Sequence, residues 1–294
     1  MPVSALALVL LAALLHAVWN YHLKRAASDR TFWLLAYTLS ACVSLPAIWC
    51  FAPESLSQIT AKGWLLIALS APIHVGYALV LQAGYRHADY SVVYPTARGT
   101  GPLITVMAAV LVLGNAPSPA GWVGIACIIS GIVLITMKPE GGAEKKRIRA
   151  GLLWGMATGC FIAGYSFCDA WAVQQETGLT PYTFYFPSLA IRAVLLAPFV
   201  MMTPGWKEEA KRLLKEPVAR RCLAVVTVGS PGAYVLVLFA LTMAPLAYVA
   251  PAREVGMMAG VVLGAVLLKE RLSAGRLAGV AAMVAGVVLI GIGG

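Results

Sequence analysis

His16, His74, Arg98, Asp169, Arg192, Arg253 and Glu254 are ionisable residues inside stretches that are otherwise almost wholly apolar. Away from water such groups are costly unless they face a cavity or a partner, so each is a candidate for chemistry. Guanidinium forks suit bidentate capture of a carboxylate or phosphate. On that reading Arg98 and Arg253 bind the anionic group of a substrate. On the other reading they pair with Asp169, Glu254 or main-chain carbonyls and lock the molecule together. Glu254, Asp169 and His16 are the proton-coupling candidates, since buried carboxyls and imidazoles can exchange a proton near working pH. For His16 and His74 a hydrogen-bonded structural histidine is the plainer reading. Trp19, Asn20, Tyr77, Tyr94 and Tyr248 suit the wall of a cavity for a polar organic molecule with an apolar body. Gln82, Tyr165 and Tyr234 have the same character, although tyrosine and tryptophan also serve as anchors at a membrane interface.

Other chemistries lack their signatures. No GxSxG, HExxH or clustered-carboxylate motif occurs, which argues against a hydrolase or metal enzyme. Gly99-Thr100-Gly101 follows no strand and is no nucleotide loop. The cysteines Cys42, Cys50, Cys127, Cys160, Cys168 and Cys222 show no CxxC spacing and read as small buried hydrophobes. The expectation is a non-enzyme with no catalytic residue, metal or cofactor.

The elements that must hold these residues are membrane helices. Apolar residues form 60% of the chain and charged ones 12%, with mean hydropathy +0.82. A soluble domain carries about 25% charged residues, and so much apolar surface needs lipid as its solvent. Stretches of about 20 apolar residues place spans at 3–22, 31–51, 63–83, 91–113, 119–137, 150–171, 181–203, 220–242, 245–268 and 274–293. The first span lacks a basic leader and runs into Lys24-Arg25, which reads as a retained helix rather than a cleaved signal.

The net charge of +10 does not indicate nucleic acid, because no basic face interleaved with aromatics occurs. Lysine and arginine instead follow the odd-numbered spans, while Lys62 stands almost alone after the even ones. That bias puts the odd loops in the cytoplasm of a bacterial inner membrane and both termini outside. Between spans seven and eight, Trp206, Ala210, Leu213 and Leu214 fall on one face of an amphipathic segment over 206–217, expected to lie at the cytoplasmic interface.

An internal repeat organises the spans. Residues 118–135 match 273–290 without a gap, so that Ser118 meets Ser273, Gly124 meets Gly279 and Gly131 meets Gly286. The same offset pairs Leu113 with Leu268, Gly101 with Gly256, and Ala97-Arg98 with Ala252-Arg253, and one residue of slippage brings Pro95 onto Pro251. A five-helix unit is odd, so two copies must have opposite topology, the plan of many secondary transporters. The chain is therefore read as an all-α integral membrane protein of ten transmembrane helices in two inverted five-helix repeats: 1–138, a basic cytoplasmic linker 139–149, and 150–294. Arg98 and Arg253 then lie ~10–12 Å from opposite faces, about 10 Å apart in depth within a ~30 Å core. The prolines Pro95 and Pro251 loosen the turns before them. Spaced glycines, Gly151, Gly155 and Gly159 with Gly260 and Gly264, allow close helix packing.

The stretches ADYSVVYPTARGTGPL (88–103), LLHAVWNYHLKRA (14–26) and AGYSFCDAWAV (163–173) resemble the EamA family of the drug/metabolite transporter superfamily, over nearly the whole chain. The resemblance implies a ten-helix carrier with two such repeats. Members of that superfamily are usually described with both termini in the cytoplasm, whereas the charges here place them outside.

The expected function is secondary transport, as a proton-coupled exporter of small organic metabolites, amino acids or other anionic and zwitterionic compounds foremost. A lipid or cationic-drug exporter is the alternative, with an intramembrane enzyme behind it. The partners are then a small-molecule substrate and the lipid bilayer, with no nucleic acid, and the chain is a monomer or homodimer.

Overall fold

The computed structural model describes residues 1–26, 29–51, 56–88, 90–114, 116–136, 145–175, 177–256 and 274–293, all helix or connection with no strand among them. The helices are α1 (Val3–Arg25), α2 (Arg30–Phe51), α3 (Ala61–His87), α4 (Tyr90–Leu113), α5 (Pro119–Thr136), α6 (Lys145–Gln174), α7 (Pro181–Met201), α8 (Trp206–Lys215), α9 (Pro217–Met243), α10 (Leu246–Arg253) and α11 (Ala274–Gly293). Seven of them, α1–α4, α6, α7 and α9, are long and apolar enough to cross a membrane, while α5 and α11 hold shorter apolar runs. The expected span 245–268 is described only to Gly256, and Gly260 and Gly264 lie outside the described residues.

Local chemistry sets the ends. The Asp29 carboxylate accepts from the backbone N–H groups of Thr31 and Phe32, capping α2. Thr60 caps α3, and Thr180 with Thr183 forms a reciprocal capping box ahead of Pro181 at the start of α7. At the other terminus of α9, the Gln174 amide donates to the carbonyl of Leu241, one of the acceptors a helix leaves open at its end. Two spans run longer than hydropathy indicates, α3 to His87 and α6 from Lys145. Arg86, Arg147 and Arg149 stop an apolar window, yet arginine forms helix readily and carries its charge out to water on a long stem.

Packing obeys a two-fold exchange in which α1–α5 correspond in order to α6, α7, α9, α10 and α11. The α1/α9 interface is answered by α6/α3, α1/α10 by α6/α4, and α2/α9 by α7/α3, while α5/α11, α2/α7 and α4/α10 pair counterparts directly. The α5/α11 seam fixes the relative direction. A Cβ on Gly124 would come within 2.7 Å of the Gly286 carbonyl, and one on Gly131 within 2.6 Å of that of Gly279. The glycine early in one helix meets the glycine late in the other, so α5 and α11 run antiparallel with backbones in close contact.

The charges gather at one end of the bundle. Arg30 Nε donates to Gln82 Oε1 at 2.7 Å, joining the start of α2 to the end of α3. His87 stacks on Trp154 near the start of α6, and Arg212 Nη2 of α8 donates to the Ala26 carbonyl at 3.1 Å. Arg25, Arg30, Arg86, Arg147, Arg149, Arg220 and Arg221 share this end with α8. At the opposite end the Met1 amino group donates to the Ile290 carbonyl, so the described termini lie together there. In α8, Leu213 is fully buried in a cluster with Phe32, Ala219 and Leu223, whereas Leu214 is exposed rather than on the packed face. The next residue on a helix is turned by about 100°, so of these two leucines Leu213 points at the bundle, while Trp206 at the start of α8 packs on Val75, Leu196 and Val200.

Candidate functional site

Most of the buried charge lies in one network through the middle of the bundle. Arg98 Nη1 on α4 donates to Glu254 Oε2 at 2.8 Å, and Arg253 Nε stands 3.4 Å from Glu254 Oε1. α10 ends at Arg253 and Glu254 begins a turn, its N–H donating to the Pro251 carbonyl at 3.0 Å. With the helix interrupted inside the apolar region, adjacent side chains can converge on one point, which an unbroken helix would turn apart. The Arg98 guanidinium lies 5.5 Å from the Tyr94 ring centre. Arg253 lies 5.7 Å from that of Tyr165 and donates from Nη2 to Ser166 Oγ at 3.3 Å.

From Tyr165 the network continues to a second carboxylate. His74 stacks on Tyr165 with ring centres 4.1 Å apart, and its Nε2 is 2.9 Å from Asp169 Oδ2. Ser70 Oγ donates to Asp169 Oδ1 at 2.6 Å, and the Tyr234 hydroxyl of α9 donates to the same carboxylate. Asp169 is completely buried. Beyond Tyr234 come Tyr185, stacked on it at 4.9 Å, and Arg192, whose guanidinium lies 4.9 Å from the Tyr185 ring centre. Arg192 Nη2 donates to Ser188 Oγ at 3.1 Å, and its buried Nε finds no acceptor among the described residues. Arg98, Arg192 and Arg253 thus face Asp169 and Glu254, one positive charge in excess.

The candidate residues divide by position. Arg98, Arg253, Glu254, Tyr94 and Asp169 join this network directly. Tyr77 meets Tyr165 edge to face at 5.6 Å. His16 lies within electrostatic reach of Arg98 and Arg253 and contacts Trp19 edge to face at 4.5 Å. Trp19 packs into the α1/α9 seam against Gly229, its indole Nε1 buried without an acceptor among the described residues. Asn20 Nδ2 donates to the carbonyl of His16 in its own helix. Tyr248 lies apart, its hydroxyl accepting from the Ser118 N–H at 2.9 Å beside Gly121 at the start of α5. The gap expected between Arg98 and Arg253 is occupied by Glu254, because two long side chains from different depths reach toward one carboxylate.

Asp169, Arg192 and Arg253 stood out by charge, but Ser70 on Asp169, Ser166 on Arg253, and Tyr185 with Ser188 on Arg192 carried no charge to mark them. The available signal was spacing. Ser70 and His74, Tyr165 and Asp169, and Ser188 and Arg192 are each four apart and form polar stripes on otherwise apolar helices.

Comparison with known proteins agrees with this architecture. A crystal structure described only as that of a "protein" superposes with TM-score 0.76 over 98% of this chain and 96% of its own, at 17% sequence identity, so the fold is a shared one. No curated protein matches the sequence. The model of the EamA-like transporter family matches twice, over residues 3–137 and again over 149–292, one match to each half of the two-fold exchange. On that duplicated match across nearly its whole length, the chain belongs to the EamA-like transporter family and is a multi-pass membrane transporter.

Proposed function

We propose that this transporter is a proton-driven secondary carrier exporting small organic metabolites with an anionic group, amino acids and other zwitterionic compounds foremost. One observation carries the reading: an arginine from each half converges on Glu254. The Glu254 side chain is only 2% accessible, while those of Arg98 and Arg253 keep 19% and 17%. A substrate carboxylate that takes the place of Glu254 finds guanidinium donors already positioned, and it loosens the tie between α4 and α10 as it binds. Halves of opposite direction with a site between them suit alternating access.

The same reading takes the expected span 245–268 as the ninth of ten, in units 1–138 and 150–294 joined by the basic stretch 139–149, whose last residues open α6. Both termini face the periplasm of a bacterial inner membrane, with the arginine-rich end and α8 in the cytoplasm.

The test is a thermal-shift screen of the purified protein against amino acids, organic acids, cationic drugs and lipids, since a ligand of the native state raises its melting temperature. An amino acid or organic acid should stabilise the wild type. Arg98→Lys keeps the charge but loses the fork, and should bind the same compound roughly tenfold or more weakly while still folding. Stabilisation by cations or lipids alone, or an undiminished response in Arg98→Lys, overturns the reading.

A further inference from the structure

The geometry points to the Asp169–His74 pair, rather than Glu254, as the group that takes up and releases the coupling proton. The inference rests on the proton-driven reading above and assigns its proton to one place.

The two buried carboxylates have different partners. Without substrate, Glu254 faces two guanidinium groups, neither of which gives up its proton in a protein, so its negative charge is matched there. Asp169 has no guanidinium within ion-pair distance among the described residues. Its partners are the Ser70 hydroxyl at 2.6 Å, the Tyr234 hydroxyl and His74 Nε2 at 2.9 Å. Of these only the imidazole changes charge near neutral pH. A single proton can therefore reside on the carboxyl or the imidazole, and the two titrate as a pair.

The surroundings limit where that proton can go. The pair is faced by Ser70 from α3, Tyr165 and Ser166 from α6, Tyr185 and Arg192 from α7, Tyr234 from α9, and Arg253 with Glu254 beyond Tyr165. Asp169 is fully covered and His74 is the less enclosed member, so a proton enters by way of the imidazole. Its movement is complete in itself: water supplies the proton at one face, the pair carries it, and water at the other face accepts it.

The consequence is structural as well as electrostatic. Ionised, Asp169 accepts from α3 and α9 together and ties both to α6. With the proton on the carboxyl, Asp169 must turn a donor toward groups that are themselves donating, so the tie slackens; with the proton on the imidazole, the pair keeps its bond. A carrier whose halves separate on protonation has what proton-driven exchange requires.

Infrared titration of the full chain in lipid, with no substrate added, reads the proton directly. Carboxyl or imidazolium bands should titrate between about pH 5 and 8, disappear in Asp169→Asn, and shift their midpoint in His74→Gln, which still donates to Asp169 but takes no proton. A titration from which Asp169→Asn removes no band overturns the assignment. Should that variant fail to fold, an unmoved midpoint in His74→Gln overturns it equally.

Vesicles loaded with a labelled mixture of the proteinogenic amino acids separate this inference from the function it rests on. Loss of gradient-driven transport in Asp169→Asn, with counterflow exchange kept, supports the assignment, and retained gradient-driven transport defeats it. A wild type that moves no amino acid under a pH gradient, yet titrates as described, refutes the proposed function and leaves the proton site standing.

Discussion

The seam between α5 and α11 and the region around Asp169 answer differently to the same two-fold exchange. At the seam the two halves are alike: Gly124 meets Gly286 as Gly131 meets Gly279, each pair at backbone contact. Around Asp169 they diverge. Gly101 packs on Ile162 as Gly256 packs on Ala13, and the register that lays Ala13 on Ile162 carries His16 onto Tyr165 and Asn20 onto Asp169. Asp169 gathers donors from two other helices, whereas Asn20, among the described residues, donates to its own helix, and its neighbour Trp19 packs on Gly229. The duplicated scaffold has kept its symmetry where backbones must touch. It has lost it where one half holds a charge and the other fills space.

The symmetric side of this comparison breaks with the largest effect. Gly131→Leu would drive its side chain into the Gly279 carbonyl and Met283, and Gly286→Leu into the Gly124 carbonyl and Ile128. Neither backbone can yield without parting the helices, so both variants should fail to give folded protein by size-exclusion chromatography in detergent. The milder Gly131→Ala and Gly286→Ala, at positions the repeat makes equivalent, should each cost about 1–3 kcal/mol, by closely similar amounts. A large inequality between those two would show that the seam is not two-fold in energy.

Where the halves are tied by charge, the expected effect is next in size. Glu254→Gln removes the carboxylate that Arg98 and Arg253 share and leaves two guanidinium groups facing each other in a largely dry interior. Losing one partner of a buried ion pair costs on the order of 3–5 kcal/mol, and thermal unfolding should register it. Arg98→Ala should cost less, because Arg253 remains to match Glu254. The reverse order would mean that the tie lies elsewhere.

Much of the scaffold was legible from local chemistry. Caps such as Thr180 with Pro181 and the gapless glycine repeat of α5 and α11 needed only neighbours in sequence. The seven charges at membrane depth were legible too, because so few exist in so apolar a chain. Their partners were not. Arg98 and Glu254 are 156 residues apart, and depth counted along ideal helices kept Arg98 away from Arg253, since nothing local signals the turn at Glu254. Neutral donors such as Ser70 and Ser166 are silent in composition and acquire meaning only once a carboxylate or guanidinium is beside them. Tyr248 shows the converse, an aromatic at membrane depth whose hydroxyl serves the Ser118 N–H at the start of α5.

The smallest expected effect concerns α8, which breaks the two-fold exchange outright. Its counterpart connection, residues 52–60 between α2 and α3, is too short to hold a ten-residue helix and its turns. α8 is held by Leu213 and by Arg212, which donates to Glu209 Oε1 at 2.7 Å, to Glu216 Oε2 at 3.1 Å and to the Ala26 carbonyl at 3.1 Å. The hydrogen bonds Arg212 makes to Glu209, from Nε at 2.8 Å and Nη2 at 2.7 Å, hold the Glu209 carboxyl below its ordinary value of 4.5. The sign follows: a carboxyl lowered in the folded state stabilises fully above that ordinary value, and the contribution is lost as pH falls through the folded-state value. Because Arg212 is 38% exposed, water and salt screen the pair, and its worth is below ~1 kcal/mol. Hydrogen exchange on α8, corrected for the intrinsic pH dependence of exchange, should therefore quicken by a few-fold as pH drops below about 4.5. The amides of α5 and α11 should keep their protection over the same range. Glu209→Gln should remove the pH dependence and leave α8 docked through Leu213. If α8 in the wild type stays equally protected down to the lowest pH the fold tolerates, the ion pair contributes nothing and apolar packing alone holds the unmatched element.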